Sequence, residues 1–485
     1  MKLTIKNISN VLDKTQEKYS VLFDDLILLK NFASKKFNPR SVFSFQYTLG
    51  QELFHLASLR NEITLQEKKL IDRKKSLNNK WFVAKMKLYK NFKSSIDNCI
   101  SIGKTFGDAF AWHFYQFNLP ELFKHLGHEE IKFFATGVGG TGELEFIKKH
   151  VVINNHFALL HGVTHFLRIG DISLMSLKDF HLTSIAEIKT MRTTEDEITV
   201  SLTAVNAKDR KFVEDLEQTE VAEEDFYNEY FNPDRFRRQV KKMVSVLKPD
   251  RRKDEDRSEN IIYDNYYINE LEEVVDGLKK TILPMKKING RLLYTANRIY
   301  PASFSKRMFA KQKVNLIKRK EKAIADVVTS LYDIQNPNHP LQMGSIHFDA
   351  KRRPKHLIGT SPIFWYPIRP DILKEIYFQN IYLLTLFNPT QFFLDLKKIG
   401  LDFYKDENDG KIHFGKMIGL KKMQLQNIDY FLALIRDHLQ TEEACIEAIR
   451  QIVSIAESKK DEDKPFLISP ELYHISTAYN LDKME

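Results

Sequence analysis

The sequence predicts a mixed α/β protein: a helical N-terminal region (1–100), an α/β core with a mixed sheet flanked by helices (101–300), and an α/β C-terminal accessory domain (301–485). Three observations predict it. Residues 1–100 hold one glycine, Gly50, and one proline, Pro39, the two strongest local breakers, so long helices are expected there. Nine of the chain's 18 glycines fall between Gly103 and Gly170, where apolar and polar residues begin to alternate as in strands. Beyond position 300, short strand-like and helix-like stretches mix.

Composition narrows the class. Hydrophobic residues are 43% and charged residues 28% of the chain, which excludes a disordered polymer and permits sizeable cores. The formal net charge is +10, which favours a polyanionic partner, nucleic acid first. The two cysteines, Cys99 and Cys445, make no CxxC pair, so neither a disulfide framework nor a thiolate zinc site is expected. Residues 1–17 lack the apolar run of a signal peptide, and the apolar stretch 381–387 is too short to span a bilayer. A cytoplasmic protein without membrane contact is expected.

Taken in order, an apolar series runs from Leu56 through Leu59, Ile63, Leu70, Leu77 and Trp81 in helical steps, predicting one long amphipathic helix or arm. Helices follow at 103–117 and 142–150. Strands are predicted at 156–162, 168–176, 181–190 and 197–205, then a helix at 235–247 opened by the capping sequence Asn232-Pro233-Asp234. The run 249–260 is densely charged and reads as a solvated loop. Downstream, helices are expected at 263–280, 304–331, 370–386 and 425–439, and a strand at 290–298.

The chemistry concentrates in two strands. In 185–190 (IAEIKT), alternation puts Glu187 and Lys189 on one face and Ala186 and Ile188 on the other. An acid and an amine on an otherwise apolar strand each cost several kcal/mol to desolvate unless paired or used. Asp171 follows Gly170 at the start of the preceding strand, and fifteen residues lie between it and Glu187, enough for a hairpin. Two carboxylates with a lysine suit metal-assisted phosphodiester hydrolysis. Mg²⁺ takes one or two carboxylates and completes its shell with water and phosphate oxygens.

This order of Gly170-Asp171 and Glu187-Ile188-Lys189 resembles the PD-(D/E)XK nuclease superfamily over roughly residues 101–250. The resemblance implies a restriction-endonuclease-like core and a Mg²⁺-dependent nuclease (Mn²⁺ the alternative ion) acting on DNA rather than RNA. It implies Asp171, Glu187 and the Ile188 carbonyl as metal ligands, Lys189 as the residue that orients water, and Glu143 as the helical acid. Glu145 competes with Glu143, and Asp108, His161 and Gln239 are secondary candidates. Gly170 stands where the family name has proline, and a hairpin separates the triplet from the next helix. By analogy, a bacterial defence or restriction effector is implied, working as a homo-oligomer or with a partner protein. The rival is a catalytically inactive nucleic-acid-binding or assembly scaffold on the same core. Arg237, Arg238 and Lys241, with Lys318 and Arg319 of the lysine-rich stretch 306–322, are the expected phosphate contacts.

Other features are weaker. Gly103-Lys104-Thr105 resembles the end of a phosphate-binding loop, but position 98 is Asn98, not glycine. The glycines at 137, 139, 140 and 142 follow no hydrophobic strand and read as a loop beside the site. His156, His161 and His165 read as packing or hydrogen-bonding histidines rather than ligands. Residues 363–367 (IFWYP) read as a core strand rather than a base-stacking surface.

Overall fold

The computed structural model describes residues 3–31, 39–115, 119–126, 134, 136–178, 181–192, 198–206, 233–247, 260–262, 265–281, 284–289, 291–299, 301–309, 341–346, 361–405, 412–418, 421–425, 428–458 and 471–473. Two compact units emerge. The first comprises Met1–Pro249, Ala302–Phe309 and Phe348–Ser361; the second comprises Asp250–Pro301, Ala310–His347 and Pro362–Glu485.

In the first unit, α1 (Ile5–Asn31), α2 (Pro39–Asp72) and α3 (Asn79–Phe114) pack together. Ile8, Leu12, Tyr19, Leu22 and Leu26 recur at helical spacing on α1, and all are buried. Each such side chain contributes about 1.5–3 kcal/mol when fully buried. The expected single helix through Trp81 is instead two. α2 ends at Asp72, and α3 begins after Asn78, whose side chain accepts from the Trp81 N–H at 3.2 Å. A cap of this kind satisfies a first-turn donor and so favours a helix start where periodicity alone shows continuity. Ion pairs Arg60–Asp97 and Lys93–Glu67 set α2 and α3 antiparallel. The helix expected at 103–117 is the last part of α3.

Next come α4 (Leu119–Leu126), α5 (Val138–Lys149) and a five-stranded sheet in the order β1 (Val152–Ile153), β2 (His156–Leu160), β3 (Ile172–Ser176), β4 (Leu182–Arg192), β5 (Ile198–Asn206). Every pairing is antiparallel, so this sheet is not the mixed one expected. Its connections are too short to carry the crossover that a parallel pair needs. Helix α6 (Pro233–Leu247) packs on β4 and β5, as does α5. A Cβ on Gly142 of α5 would strike the Thr190 side chain, so α5 crosses the face carrying Ile188 and Thr190. Gln239 of α6 reaches Glu187, so α6 covers the other face. A short turn of helix, α7 (Phe304–Arg307), returns to this unit: Gln16 accepts from the Phe304 N–H, and Arg307 donates to Asn98.

The second unit holds a four-stranded antiparallel sheet in the order β7 (Met285–Ile288), β8 (Leu292–Arg298), β10 (Ile381–Phe387), β9 (Gln342–Ile346). A three-stranded sheet of β11 (Asp402–Lys405), β12 (Ile412–Ile418) and β13 (Lys421–Leu425) accompanies it, with one parallel pair, β6 (Asn260–Ile262) and β14 (Glu471–Tyr473). Its helices are α8 (Ile268–Gly277), α9 (Pro370–Tyr377), α10 (Thr390–Lys398), α11 (Ile428–His438) and α12 (Glu442–Ser458).

The helix expected over 370–386 stops at Tyr377, and 381–387 is the strand β10. Gln379 at φ +56° turns the chain, and a short apolar run buried on both faces fits a central strand as well as a helix. Residues 363–366 are core, as expected, but as a 3₁₀ turn (Ser361–Trp365) and not a strand. Of the helix expected over 304–331, the first turn is seen, and 310–340 lie outside the described residues, as does most of 249–260. No helix among the described residues is long and apolar enough to cross a membrane.

Candidate active site

The site starts from a glycine. Gly170 adopts φ +74°, and a methyl group there would sit 2.6 Å from Cγ2 of Ile185 and 2.9 Å from the Ala186 carbonyl oxygen. Only glycine meets both demands, the left-handed backbone and the close approach. That bend delivers Asp171 to β4. The Asp171 N–H donates to the Ala186 carbonyl at 2.8 Å, and its Oδ2 accepts from the Ile188 N–H at 2.7 Å. The aspartate thus supplies the ladder partner that Ile188 lacks beyond the end of β3. In an antiparallel strand the N–H and C=O of one residue leave on the same edge, so the Ile188 carbonyl is turned toward Asp171 as well.

Alternation along β4 holds: Ala186 and Ile188 are buried, while Glu187 and Lys189 project on the other face. Glu187 Oε1 accepts from Lys189 Nζ at 2.8 Å and from Gln239 Nε2 at 2.7 Å, and Lys189 also reaches Gln239 Oε1 at 3.4 Å. The acid is sheltered, with 12% of its side chain exposed, whereas the lysine is 49% exposed. An ion pair half open to water contributes only about 0–1 kcal/mol, so its worth to stability does not account for the arrangement. Gln239 is set by the buried Val240, Met243 and Val244 of the same helix. Arg238, Lys241 and Lys242 occupy its solvent side. Arg237 is on that helix with its side chain outside the described residues, as are Lys318 and Arg319 altogether.

Behind Gly170 lies a buried polar chain. His161 Nδ1 is 3.1 Å from the Gly170 carbonyl, and its Nε2 is 2.7 Å from Ser173 Oγ. Tyr115 Oη is 2.7 Å from both Ser173 Oγ and His125 Nε2. A carbonyl only accepts, so Nδ1 of His161 must donate. With both imidazoles neutral, one sense then runs through the whole chain: His125 to Tyr115, Tyr115 to Ser173, Ser173 to His161, His161 to Gly170. Burial holds the His125 imidazole well below the usual histidine range, next to His161 and Lys124, in keeping with that sense. The His161 N–H also donates to the Asp171 carbonyl at 2.8 Å. His161 therefore holds the bend on which Asp171 depends, as a hydrogen-bonding histidine.

A second set pins the loop between β2 and β3 to α3. Asp108 accepts from the His165 N–H and from His165 Nδ1, both at 2.7 Å, and Lys104 Nζ donates to the Thr164 carbonyl at 3.0 Å. Gly107 lets this happen, because a Cβ there would overlap the Val163 carbonyl oxygen. Burial pulls the Lys104 ammonium down to about 8, with Asp108 and Glu143 opposing and Arg168 adding to the effect. Glu143 is placed beside Gly162 and this lysine, on the helix that crosses the Ile188 face. Glu145 points to solvent and pairs with Lys148 at 3.8 Å.

The structure therefore brings together Asp171, Glu187, Ile188, Lys189 and Gln239. It ties Asp108 to His165 and Glu145 to Lys148. Among the described residues no three His, Cys, Asp or Glu side chains gather at metal-ligand spacing. Tyr115, His125 and Ser173 escape sequence reasoning, since nothing in their spacing signals that they meet.

Fold and site together define an α/β protein with an acid–lysine–glutamine cluster on an antiparallel sheet. Comparison with models of protein families, with curated proteins and with solved structures finds no match for the chain.

Proposed function

We propose that the chain is a metal-dependent nuclease of the PD-(D/E)XK type, acting on DNA. The observation that carries this reading is the bond from the Ile188 amide to the Asp171 carboxylate, which joins the first acid to the middle of the Glu187-Ile188-Lys189 triplet. The donor set is made of hard oxygens: two carboxylates and a carbonyl. That suits Mg²⁺, or Mn²⁺ in its place, which needs only one or two carboxylates once water and phosphate oxygens join. Asp171, Glu187 and the Ile188 carbonyl would hold the ion, which when bound neutralises phosphoryl charge and makes its water more acidic.

The chain's own residues do the rest. Lys189, open to solvent, orients the attacking water or balances charge developing on the phosphoryl oxygens. Gln239 fixes the Glu187 and Lys189 side chains, and Arg237, Arg238 and Lys241 hold the phosphate backbone. Glu143 lies beside Gly162 and Lys104 on the helix that crosses the Ile188 face, opposite Glu187 and Lys189, so it is left out of the metal set. A cytoplasmic defence or restriction effector, homo-oligomeric or working with a partner protein, is the role proposed by analogy. One observation favours the second reading, an inactive nucleic-acid-binding scaffold: Glu187 already accepts two hydrogen bonds from side chains.

The experiment is a cleavage assay of the purified protein on plasmid, linear and single-stranded DNA and on RNA, with Mg²⁺, Mn²⁺ or chelator. Metal-dependent DNA cleavage that Asp171→Ala and Lys189→Ala each abolish is expected. Binding without cleavage on every substrate and with either metal contradicts the nuclease and favours the scaffold.

A further inference from the structure

The far end of the α2–α3 hairpin has no core of its own. From Thr64 to Leu88 not one residue is buried, although both helices continue through most of that stretch. Ile63 on the way out is fully buried, and Tyr89 on the way back is 7% exposed. The last ten residues of α2 beyond Glu62 thus extend about 15 Å from the body, at the usual helical rise. Nothing in the first unit's core accounts for an arm of this length.

Its charge is lopsided. Residues 66–90 (QEKKLIDRKKSLNNKWFVAKMKLYK) hold nine Lys and Arg against two acids, a net +7 out of the chain's +10. The cations come from the end of α2 (Lys68, Lys69), the turn (Arg73, Lys74, Lys75) and the start of α3 (Lys80, Lys85, Lys87, Lys90). Glu67 is already taken by Lys93, and none of the nine forms an ion pair among the described residues. The Lys74 and Lys85 ammonium groups lie over the rings of Phe82 and Tyr89, at 5.6 and 5.0 Å from the ring centres. Trp81, 51% exposed, stands among them. Concentrated like charge costs free energy in the isolated protein, and a bound polyanion offsets that cost.

We propose that this arm is a second nucleic-acid contact, which grips the phosphate backbone of the duplex that the active site cuts. Charge complementarity carries the assignment. A duplex carries one charge per about 1.7 Å, so a 15 Å stretch presents about nine phosphate charges to an arm with nine cations. Its root adjoins the helix that carries Glu143: Asn61 Nδ2 donates to Thr136 Oγ1 at 2.9 Å, one residue before the glycine that opens α5. The exposed apolar residues of the arm are scattered among the charges, unlike the continuous apolar face that a membrane-surface helix presents. The choice of nucleic acid rests on the nuclease reading; the polyanion site itself does not.

The test uses the full chain with Asp171→Asn, so that the probe survives, and a short labelled DNA duplex titrated from about 50 to about 200 mM salt. A second chain adds Lys69→Gln, Lys75→Gln, Lys80→Gln and Lys87→Gln, all exposed positions. The proposal expects the log–log salt slope to fall by about three to four units and affinity to drop by about tenfold or more at the low-salt end. Equal affinity and slope in the two chains, with unchanged circular dichroism, overturns it. Arm-dependent binding to phosphatidylserine vesicles, without arm-dependent binding to duplex, overturns the choice of nucleic acid. Cleavage by the parent chain is scored separately: arm-dependent binding without cleavage supports the arm and sinks the nuclease, and cleavage with arm-independent binding does the reverse.

Discussion

At Gly170 one residue type decides where a carboxylate stands. Replacing it with alanine places a methyl against Ile185 and the Ala186 carbonyl in a left-handed backbone. Gly170→Ala is expected to cost about 1–3 kcal/mol of stability and to lower cleavage more than DNA binding. Urea unfolding and paired rate and affinity measurements check it; an alanine variant as stable and as active as the parent contradicts the geometry. Asp171, Glu187 and Lys189 were legible because side-chain alternation and a short hairpin leave few arrangements for them. The chain from His125 through Tyr115 and Ser173 to His161 was not, because Tyr115 and Ser173 stand 58 positions apart and only the packed fold brings them together. Gln239 was legible in part: its helix was evident, but which residue of that helix meets Glu187 depends on how the helix crosses the sheet.

Among the elements, α3 does two jobs: its first half forms the basic arm, and its second half fixes the loop that ends at Asp171. Lys104 makes the second job measurable. The folded state holds its ammonium at about 8, whereas the unfolded chain titrates near 10.5. Between those values the unfolded chain binds the extra proton, so this residue's contribution to stability rises with pH across that window. Lys104→Met should remove that rise. Unfolding free energies of parent and variant from pH 7 to pH 10.5 should therefore diverge by up to about 3 kcal/mol, and parallel curves contradict the assignment. Element boundaries were less legible than element types. The run 381–387 has a length and apolarity that suit a buried strand or a helix segment alike, and its neighbours β8 and β9 decide between them. Likewise the break at 73–78 rests on Asn78, a single cap inside a pattern whose apolar spacing does not pause.

For the whole molecule, the chain folds as two units, and the α/β site belongs to the first together with the N-terminal helices. The second carries its own sheets and a buried ion pair, Arg291–Glu442 at 2.7 Å, with the carboxylate fully buried. Most of the net positive charge sits on the arm of the first unit, so the proposed polyanion contact and the Asp171 cluster belong to the same unit. The central claim is that this cluster hydrolyses phosphodiesters with a divalent ion. The most direct measurement is the single-turnover cleavage rate of duplex DNA against Mg²⁺ concentration, for the parent and for Glu187→Gln. The account predicts a rate that saturates with Mg²⁺ in the parent and falls by about 100-fold or more in the variant, with DNA binding retained. A variant that cuts as fast as the parent, or a parent whose rate ignores Mg²⁺ and chelator, contradicts it.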